Sequence, residues 1–372
     1  MRKKNVSTVA ELYAAIKDPA NDPVNGVGVT IVLAPGTYTL FDNGPETHGR
    51  LELRKNMSLI GVNGNPSAVK IDASSLPDSS FKLFFEGISA QQNTGAIRIG
   101  RGNHFIASLT VVGKSNSAAG IETDLTDAGS KDTVIRVEHV VSSGSRRGLD
   151  VRNIGPAMAG RIIVAEIEGN DFSGEPLGTQ PSEAIRLVNF LGAEGGKIHA
   201  VMNGNRFHRS PIGCFVGNNR SHSGLVEVRS NLDTFDDNEA GCVIVGAVVS
   251  GTNGTTKLAT TTFDAHGSDF KNNTRTFPIT GPYRGGIVAL GADVLDATAT
   301  ASDNTTLIVL RGCQVKDNQN QNFEAFGART TGPITGATNN KVVIALKQGN
   351  AEVVPPPPDA ATPPNTVTVI HS

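Results

Sequence analysis

The chain has 372 residues, and its 42 glycines make up about 11% of them, against a usual 7% or so. Its 33 lysines and arginines nearly balance 35 aspartates and glutamates, which argues against a general nucleic-acid binder with a basic surface. No apolar run approaches the 18 residues of a membrane-spanning helix, and the glycine excess favours tight turns over long helices. We therefore expect a soluble, turn-rich β protein.

The first predicted element is a short amphipathic helix over residues 8–17. Thr8 and Glu11 have the spacing of a capping box, and Leu12, Tyr13 and Ile16 fall on one helical face. Strands are predicted over residues 30–38 and 57–61. Almost no helical period follows.

A short phrase then recurs: a small residue, an apolar one, a variable one and another apolar one. Its copies begin at Ala96, Gly120, Gly148, Ala184, Gly213, Gly241 and Gly286, with a weaker copy at Asn322. A second phrase between them ends at Phe172, Phe207, Phe235 and Phe270. The copies lie 24 to 45 residues apart, a period typical of stacked repeats. A propeller is the alternative, but no period contains four strands.

The repeat therefore predicts an all-β parallel β-helix whose inward side chains form ladders from coil to coil. Cys214 and Cys242 occupy equivalent inward places, and asparagine-rich turns are expected to form amide ladders. Because side chains alternate along a strand, aligned copies also give two outward columns. The first column is Arg98, Glu122, Asp150, Arg186, Phe215, Val243, Val288 and Glu324. The second is Gly100, Asp124, Arg152, Val188, Gly217, Val245, Leu290 and Phe326.

The first half of this outward face is charged and the second half is mostly apolar. Glu122, Asp124 and Asp150 would lie on adjacent coils, where three carboxylates repel one another unless a cation or arginine lies among them. We therefore expect either a functional groove with a possible calcium site on these three carboxylates, or a ladder of surface salt bridges.

The chain resembles the right-handed parallel β-helix proteins of the pectate-lyase-like superfamily. The resemblance rests on the phenylalanine-ended phrases, on Ala34-Pro35-Gly36-Thr37-Tyr38 and on Leu59-Ile60-Gly61, and it covers roughly residues 5–350. It implies a single-stranded right-handed parallel β-helix whose N-terminal helix caps the first coil. Members include lyases, hydrolases, epimerases, isomerases and non-catalytic adhesins. In the lyases, calcium or basic residues neutralise a uronate carboxyl while a lysine or arginine removes a proton.

This resemblance implies a catalytic or charge-neutralising role for Arg186 and Arg152. Residues 182–187 look like the glutamate-containing strand of alginate and chondroitin lyases with this fold, which carries Glu183 over as a catalytic candidate. Those lyases have a lysine base where this chain has Val188. His208 is a further catalytic candidate because it precedes the Cys214 strand and is expected near Arg186.

The predicted function is a lyase-, epimerase- or isomerase-like enzyme acting on a poly- or oligosaccharide. Substrate contacts are predicted for Arg98, Asp150, Arg209 and Phe215, in a groove walled by loops at residues 174–182 and 245–262.

The alternative is a non-catalytic glycan-binding, cell-surface or structural module. We expect a monomer with a β-helix domain over residues 1–352 and a proline-rich tail over 353–372, whose residues 366–370 could add a strand. A secreted or periplasmic protein whose leader is missing from this sequence is favoured over a cytoplasmic one.

Overall fold

The computed structural model describes residues 2–18, 28–54, 56–125, 132–175, 182–250, 253–277, 283–318, 321–330, 336–347 and 364–371. Within these residues the chain is built almost entirely from parallel strands, with one α-helix at its start. Each coil contributes one strand to a nine-strand sheet and one or two to a nineteen-strand sheet. The chain is therefore an all-β, right-handed parallel β-helix with a short N-terminal helix, and the predicted fold class is confirmed.

The nine-strand sheet contains the copies of the first phrase. Its strands, in spatial order, are Leu51–Leu53, Ile97–Ile99, Ile121–Glu122, Arg147–Ile154, Glu183–Phe190, Ile212–Asn219, Ala240–Val249, Gly285–Val294 and Phe323–Thr330.

The nineteen-strand sheet forms the other walls of the coil. Twelve strands make one continuous run: Arg2–Val6, Val29–Leu33, Met57–Ile60, Gly102–Val112, Thr133–Ser143, Ile162–Glu168, Lys197–Asn203, Leu225–Asn231, Thr260–His266, Thr305–Arg311, Lys341–Lys347 and Thr366–His371. Seven shorter strands complete the sheet: Gly36–Thr39, Val69–Asp72, Asp171–Ser173, Arg206–His208, Thr234–Asp236, Asp269–Lys271 and Gln314–Lys316.

Several short elements lie outside the nine-strand and nineteen-strand sheets. Thr255–Lys257, Thr300–Ser302 and Ala337–Thr338 form a parallel three-strand sheet, and Lys82–Leu83 pairs antiparallel with Gln92–Asn93. Short 3-10 turns occur at Pro66–Ala68, Asp78–Phe81 and Pro156–Met158.

The helix Val9–Lys17 closes the first coil as predicted. The Thr8 side chain accepts a hydrogen bond from the Glu11 backbone, and Glu11 reaches back, so the capping box is complete. Leu12, Tyr13 and Ile16 are buried against the core. The strand Arg2–Val6, which precedes the helix and pairs with Val29–Leu33, was not predicted because its basic side chains hide the alternation.

Ladders of identical side chains fill the interior. The rings of Phe172, Phe207, Phe235 and Phe270 follow one another with centroids 6.1, 5.0 and 4.6 Å apart. Cys214 and Cys242 are partners in register, as predicted. Amide ladders also form, with the Asn238 side chain donating to Asn273 at 3.0 Å and Asn273 donating to Asn318 at 2.8 Å. These ladders satisfy buried polar groups at the turns of successive coils.

The glycine column of the repeat has a steric cause. A Cβ atom at Gly213 would lie 2.5 Å from the Gly241 carbonyl oxygen, and one at Gly241 would lie 2.5 Å from that of Gly286. A larger residue at either position would push neighbouring coils apart, so these copies of the phrase open on glycine.

The end of the chain also joins the fold. Residues 353–363 of the proline-rich segment lie outside the described residues, but Thr366–His371 pairs with Lys341–Lys347 and adds the predicted last strand. The division at residue 352 stays a prediction. Among the described residues, no helix is long and apolar enough to cross a membrane.

Candidate functional site

The outward column predicted from the repeats exists in register. Arg98 pairs with Glu122, Glu122 with Asp150, Asp150 with Arg186, and Arg186 with Phe215 along the nine-strand sheet. The strand spacing therefore brings the charged side chains of successive coils into contact. We call eight of these residues the charged cluster: Arg98, Glu122, Asp124, Arg147, Asp150, Arg152, Glu183 and Arg186.

The expectation that this face forms an open groove is wrong, because every member of the charged cluster is at most 8% exposed. Residues 82–94, which we call the cover segment, lie over part of it. The Phe85 ring lies 5.5 Å from the guanidinium of Arg152, the Asn93 carbonyl accepts a hydrogen bond from Arg152, and Thr94 Oγ1 donates to Asp124 at 2.7 Å. Outward side chains of the sheet are thus enclosed by chain outside the coil.

Each carboxylate of the charged cluster contacts at least one arginine. Arg186 binds Asp150 through two parallel hydrogen bonds, Nε to Oδ1 at 2.9 Å and Nη2 to Oδ2 at 2.5 Å. Arg147 Nε lies 2.5 Å from Glu183 Oε2. Such bidentate and charge-assisted contacts are the strong hydrogen bonds of proteins.

The same pattern continues toward the start of the sheet. Asp124 accepts from Arg98 Nε at 2.8 Å and from Arg152 Nη2 at 3.2 Å. Arg152 also contacts Glu122, and Arg98 Nη1 donates to Glu52 at 2.7 Å. Four arginines and four carboxylates therefore form one buried network.

The network separates the pKa values of its carboxyl groups. Burial raises the pKa of Glu122 well above its usual value against the attraction of Arg152, and the charges of Asp124 and Asp150 add to the rise. Burial acts on Asp150 in the same direction, but Arg186 and Arg147 outweigh it and lower the pKa of Asp150. The pKa values of Glu122 and Asp150 are therefore shifted in opposite directions, although the two residues are register partners on adjacent coils.

The donor set of the three carboxylates does not fit calcium. Calcium takes six to eight oxygen ligands around one point, whereas Asp124 and Asp150 direct their oxygens at guanidinium groups. No cluster of three or more His, Cys, Asp or Glu side chains that could hold a metal occurs in the described residues. The calcium site on Glu122, Asp124 and Asp150 stays a prediction, and the described residues do not form the set of oxygen ligands that it would need.

His208 and Arg209 lie on the nineteen-strand sheet and its following turn, not within the charged cluster. His208 Nε2 lies 2.6 Å from Asp171 Oδ1, and the ring is buried. Arg209 has a positive φ of 53° and an exposed side chain whose partner is Asp237, 3.7 Å away. The side-chain partner of His208 therefore lies on the preceding coil, and its expected proximity to Arg186 stays a prediction.

Phe215 begins the apolar half of the outward face, where it was predicted to bind substrate. It is buried in a second hydrophobic cluster, which contains Val188, Ile212, Phe215, Ala240, Val243, Val245, Val248, Tyr283, Val288 and Leu290. Tyr283 contributes from outside the sheet, and its hydroxyl contacts Asp293. The two loops expected to wall the groove include residues 176–181 and 251–252, which lie outside the described residues.

Sequence reasoning missed Glu52, Arg147 and the cover segment. Leu51-Glu52-Leu53 has the apolar–variable–apolar form of the phrase and could have been read as an earlier copy, since Glu52 pairs with Arg98. Arg147 stands one residue before the Gly148 copy, and its contact with Glu183 follows from register alone. The cover segment has no repeat signal.

A cavity of about 320 Å³ lies at the N-terminal end of the same sheet. Helix residues Tyr13 and Ile16 and coil residues Arg50, Glu52 and Met57 line it, and the exposed Lys17, Glu46 and Arg54 also contribute. The ring of Phe41 packs edge-on against Tyr13 at 5.3 Å and is 49% exposed. The cavity lining therefore combines a buried guanidinium with exposed charged groups, and Phe41 lies outside that lining, in contact with Tyr13.

No family model matches the sequence, and no curated protein matches it. Among solved structures, the chain is similar to the A-module of the mannuronan C-5 epimerase AlgE6 of Azotobacter vinelandii, with 14% identity over 99% of both chains and a TM-score of 0.40. It is also similar to pectate lyase Pel9A, with 12% identity over 91% of this chain and 78% of that one and a TM-score of 0.40. The surface adhesin PfbA of Streptococcus pneumoniae has 11% identity, 97% and 86% coverage and a TM-score of 0.37. At these identities and TM-scores the similarities assign neither an activity nor a ligand.

Proposed function

We propose that this protein is a saccharide-binding β-helix that binds its ligand at the N-terminal cavity, and that the charged cluster is structural. The observation that carries the proposal is the contrast in access between the two places. The charged cluster is enclosed and its carboxylates are already matched by arginines. The cavity, in contrast, is lined partly by exposed residues.

The chemistry of the cavity suits a sugar. Its volume of about 320 Å³ lies at the lower end of small-molecule sites. The guanidinium, ammonium and carboxylate groups that line it can hydrogen-bond to sugar hydroxyls. A glycan ligand is in keeping with the expected extracellular or periplasmic location and with a monomer.

A binding panel tests this function. Wild-type protein would be titrated with neutral and acidic oligosaccharides, and the same mixtures assayed for new reducing ends and ultraviolet-absorbing unsaturated products. The proposal expects binding without turnover. Arg54→Ala should weaken binding at least about tenfold, because an exposed, charged hydrogen-bond donor that lines the cavity is lost.

Arg229→Ala is the matched control. Arg229 is also an exposed arginine, but it lies on the strand Leu225–Asn231 and is not among the residues that line the cavity. Unchanged affinity in this variant is expected. Loss of binding in Arg229→Ala but not in Arg54→Ala would contradict the placement of the ligand.

The second candidate is the lyase-, epimerase- or isomerase-like enzyme predicted from the sequence. The opposite pKa shifts of the neighbouring Glu122 and Asp150 favour it, because carboxyl pairs whose environments move their pKa values apart are typical of acid–base catalysis. Turnover of any glycan that Asp150→Asn abolishes in folded protein would establish this candidate over the first.

A further inference from the structure

The strand Arg2–Val6 begins the continuous run of the nineteen-strand sheet, and one of its edges is open within the described part of the chain. Among the described residues it pairs only with Val29–Leu33. Its first four residues are exposed, and only Val6 is buried. An open edge of this kind is a template on which another extended chain can pair.

Backbone groups along this strand point alternately toward its neighbour and away from it. The Val6 carbonyl accepts a hydrogen bond from the Ala34 N–H at 2.9 Å, which shows that the backbone of Val6 faces Val29–Leu33. Because the alternation has a period of two residues, the N–H and C=O groups of Lys3 and Asn5 point to the open side. A chain that pairs there meets donors and acceptors that are already aligned as a ladder.

The open edge is basic on both faces of the strand. Since side chains alternate along a strand, Arg2 and Lys4 lie on one face and Lys3 lies on the other. All three side chains are exposed. Positive charges at an edge repel a second copy of the same strand, but they attract a strand with negative side chains. Charge therefore selects an acidic partner.

A second cavity, of about 300 Å³, lies where this strand ends. Val6, Val32, Leu33 and Ala34 provide its apolar lining. Glu11 also lines it, and its carboxylate disfavours an acidic side chain at this end of the strand. An extended chain on the open edge therefore meets positive charge along the strand and a mostly apolar cavity at its end.

We propose that the open edge of Arg2–Val6 binds an extended acidic peptide segment as an additional strand, with acidic side chains beside Lys3 and Lys4 and an apolar side chain in the second cavity. In this mode of recognition, backbone hydrogen bonds supply affinity and side-chain positions supply specificity. The second cavity shares no lining residue with the N-terminal cavity, so the inference is independent of saccharide binding.

Calorimetric titration of wild-type protein with the peptide acetyl-Glu-Glu-Glu-Thr-Leu-Thr-amide tests the inference. The matched probes are the same peptide with lysine in place of glutamate, the acidic peptide methylated at every backbone nitrogen, and a thymidine oligonucleotide. The acidic peptide is expected to bind at least about tenfold more tightly than each of the three. The lysine peptide lacks charge complementarity, while the methylated peptide and the oligonucleotide lack the backbone donors of a strand.

Two pairs of protein variants separate charge from strand pairing. The double variant Lys3→Glu, Lys4→Glu should weaken peptide binding at least about tenfold, with a smaller effect at high salt. Lys341→Glu changes an exposed lysine at the start of another strand of the same sheet and should leave the affinity unchanged. Asn5→Pro removes an N–H of the open side and should weaken binding about fivefold, whereas Asn5→Ala keeps that N–H and should bind as wild type does.

Circular dichroism establishes that each variant is folded, and the methylated peptide tests strand pairing without any change to the protein. Absence of binding by the acidic peptide would overturn the inference and leave saccharide binding intact. Equal affinity for the acidic and lysine peptides, or for the methylated and unmethylated ones, would overturn it as well. Equal binding of the oligonucleotide would mean that the strand attracts anions without pairing, which also contradicts the inference.

Discussion

The outward face of the nine-strand sheet has two halves with one backbone geometry and opposite chemistry. Arg98, Glu122, Asp150 and Arg186 continue in register into Phe215, Val243 and Val288, and both halves are buried. One half is stabilised by directional ion pairs and the other by apolar packing. A side chain that points outward from a strand of this β-helix is therefore not necessarily exposed to solvent.

The two halves should respond differently to small changes. In the charged half, removal of one partner leaves a buried charge without compensation. In the apolar half, removal or addition of one polar atom changes only the hydration of a single group. Three substitutions would sharpen or break this comparison.

The largest effect is expected for Asp150→Asn. It keeps the shape of the side chain but leaves the buried Arg186 and Arg147 without their shared anion. The free energy of unfolding should fall by about 3–5 kcal/mol, as when one partner of a buried ion pair is removed. Urea denaturation at 25 °C and pH 7 measures it.

Asp264→Asn is the matched control for this change. Asp264 also accepts from Nε and Nη2 of an arginine, Arg311, but both side chains are substantially exposed. The loss there should be about 0–1 kcal/mol. Equal losses for the two variants would mean that the charged cluster is solvated and the proposed contrast is wrong.

An intermediate effect is expected for Val243→Thr in the apolar half. The two side chains are nearly equal in size, so the change buries a hydroxyl in the second hydrophobic cluster without leaving a cavity. The expected loss is about 1–3 kcal/mol. Val201→Thr, at an exposed position of the nineteen-strand sheet, should be nearly neutral. A neutral Val243→Thr would show that water reaches the apolar half.

The smallest effect concerns the pH dependence given by Glu122. Its pKa is raised in the folded protein, so the folded state holds this proton more tightly than the unfolded chain does. The stability it contributes is present below the unfolded pKa of about 4.3 and is lost as pH rises toward the folded value. Glu122→Gln resembles the protonated form and has no carboxyl proton to lose, so it should not show this loss of stability as pH rises.

Relative to wild type, Glu122→Gln should therefore gain free energy of unfolding as the pH rises from 5 to 8. Urea denaturation at several pH values measures the gain, with Glu166→Gln as the control for loss of an exposed carboxyl group. A stability difference between the two proteins that does not grow with pH would mean that the pKa of Glu122 is not raised in the folded protein.

The fold could be predicted from the sequence because its signals repeat. Glycine precedes an inward apolar residue in copy after copy, and the steric limit at Gly213 and Gly241 enforces that pattern. The registers of Arg98, Glu122 and Asp150 followed from the alignment of copies alone.

The burial and the side-chain partners of the site residues could not be predicted in the same way. Whether Asp150 faces water depends on what lies outside the coil, and the cover segment has no period to align. Nor could spacing show that His208 turns to Asp171, because a side-chain direction within one turn is set by its local partner. The N-terminal cavity was missed for a similar reason, since the helix and the coil residues that line it have no period to align.

The central claim is that the charged cluster holds the fold together while the ligand binds at the N-terminal cavity. The most direct measurement is the affinity of wild type and of Asp150→Asn for an oligosaccharide that the wild type binds, at a temperature where both are folded. The account predicts affinities that agree within about twofold despite a large difference in stability. A loss of more than about tenfold in folded Asp150→Asn, with unchanged affinity in Arg54→Ala, would contradict it.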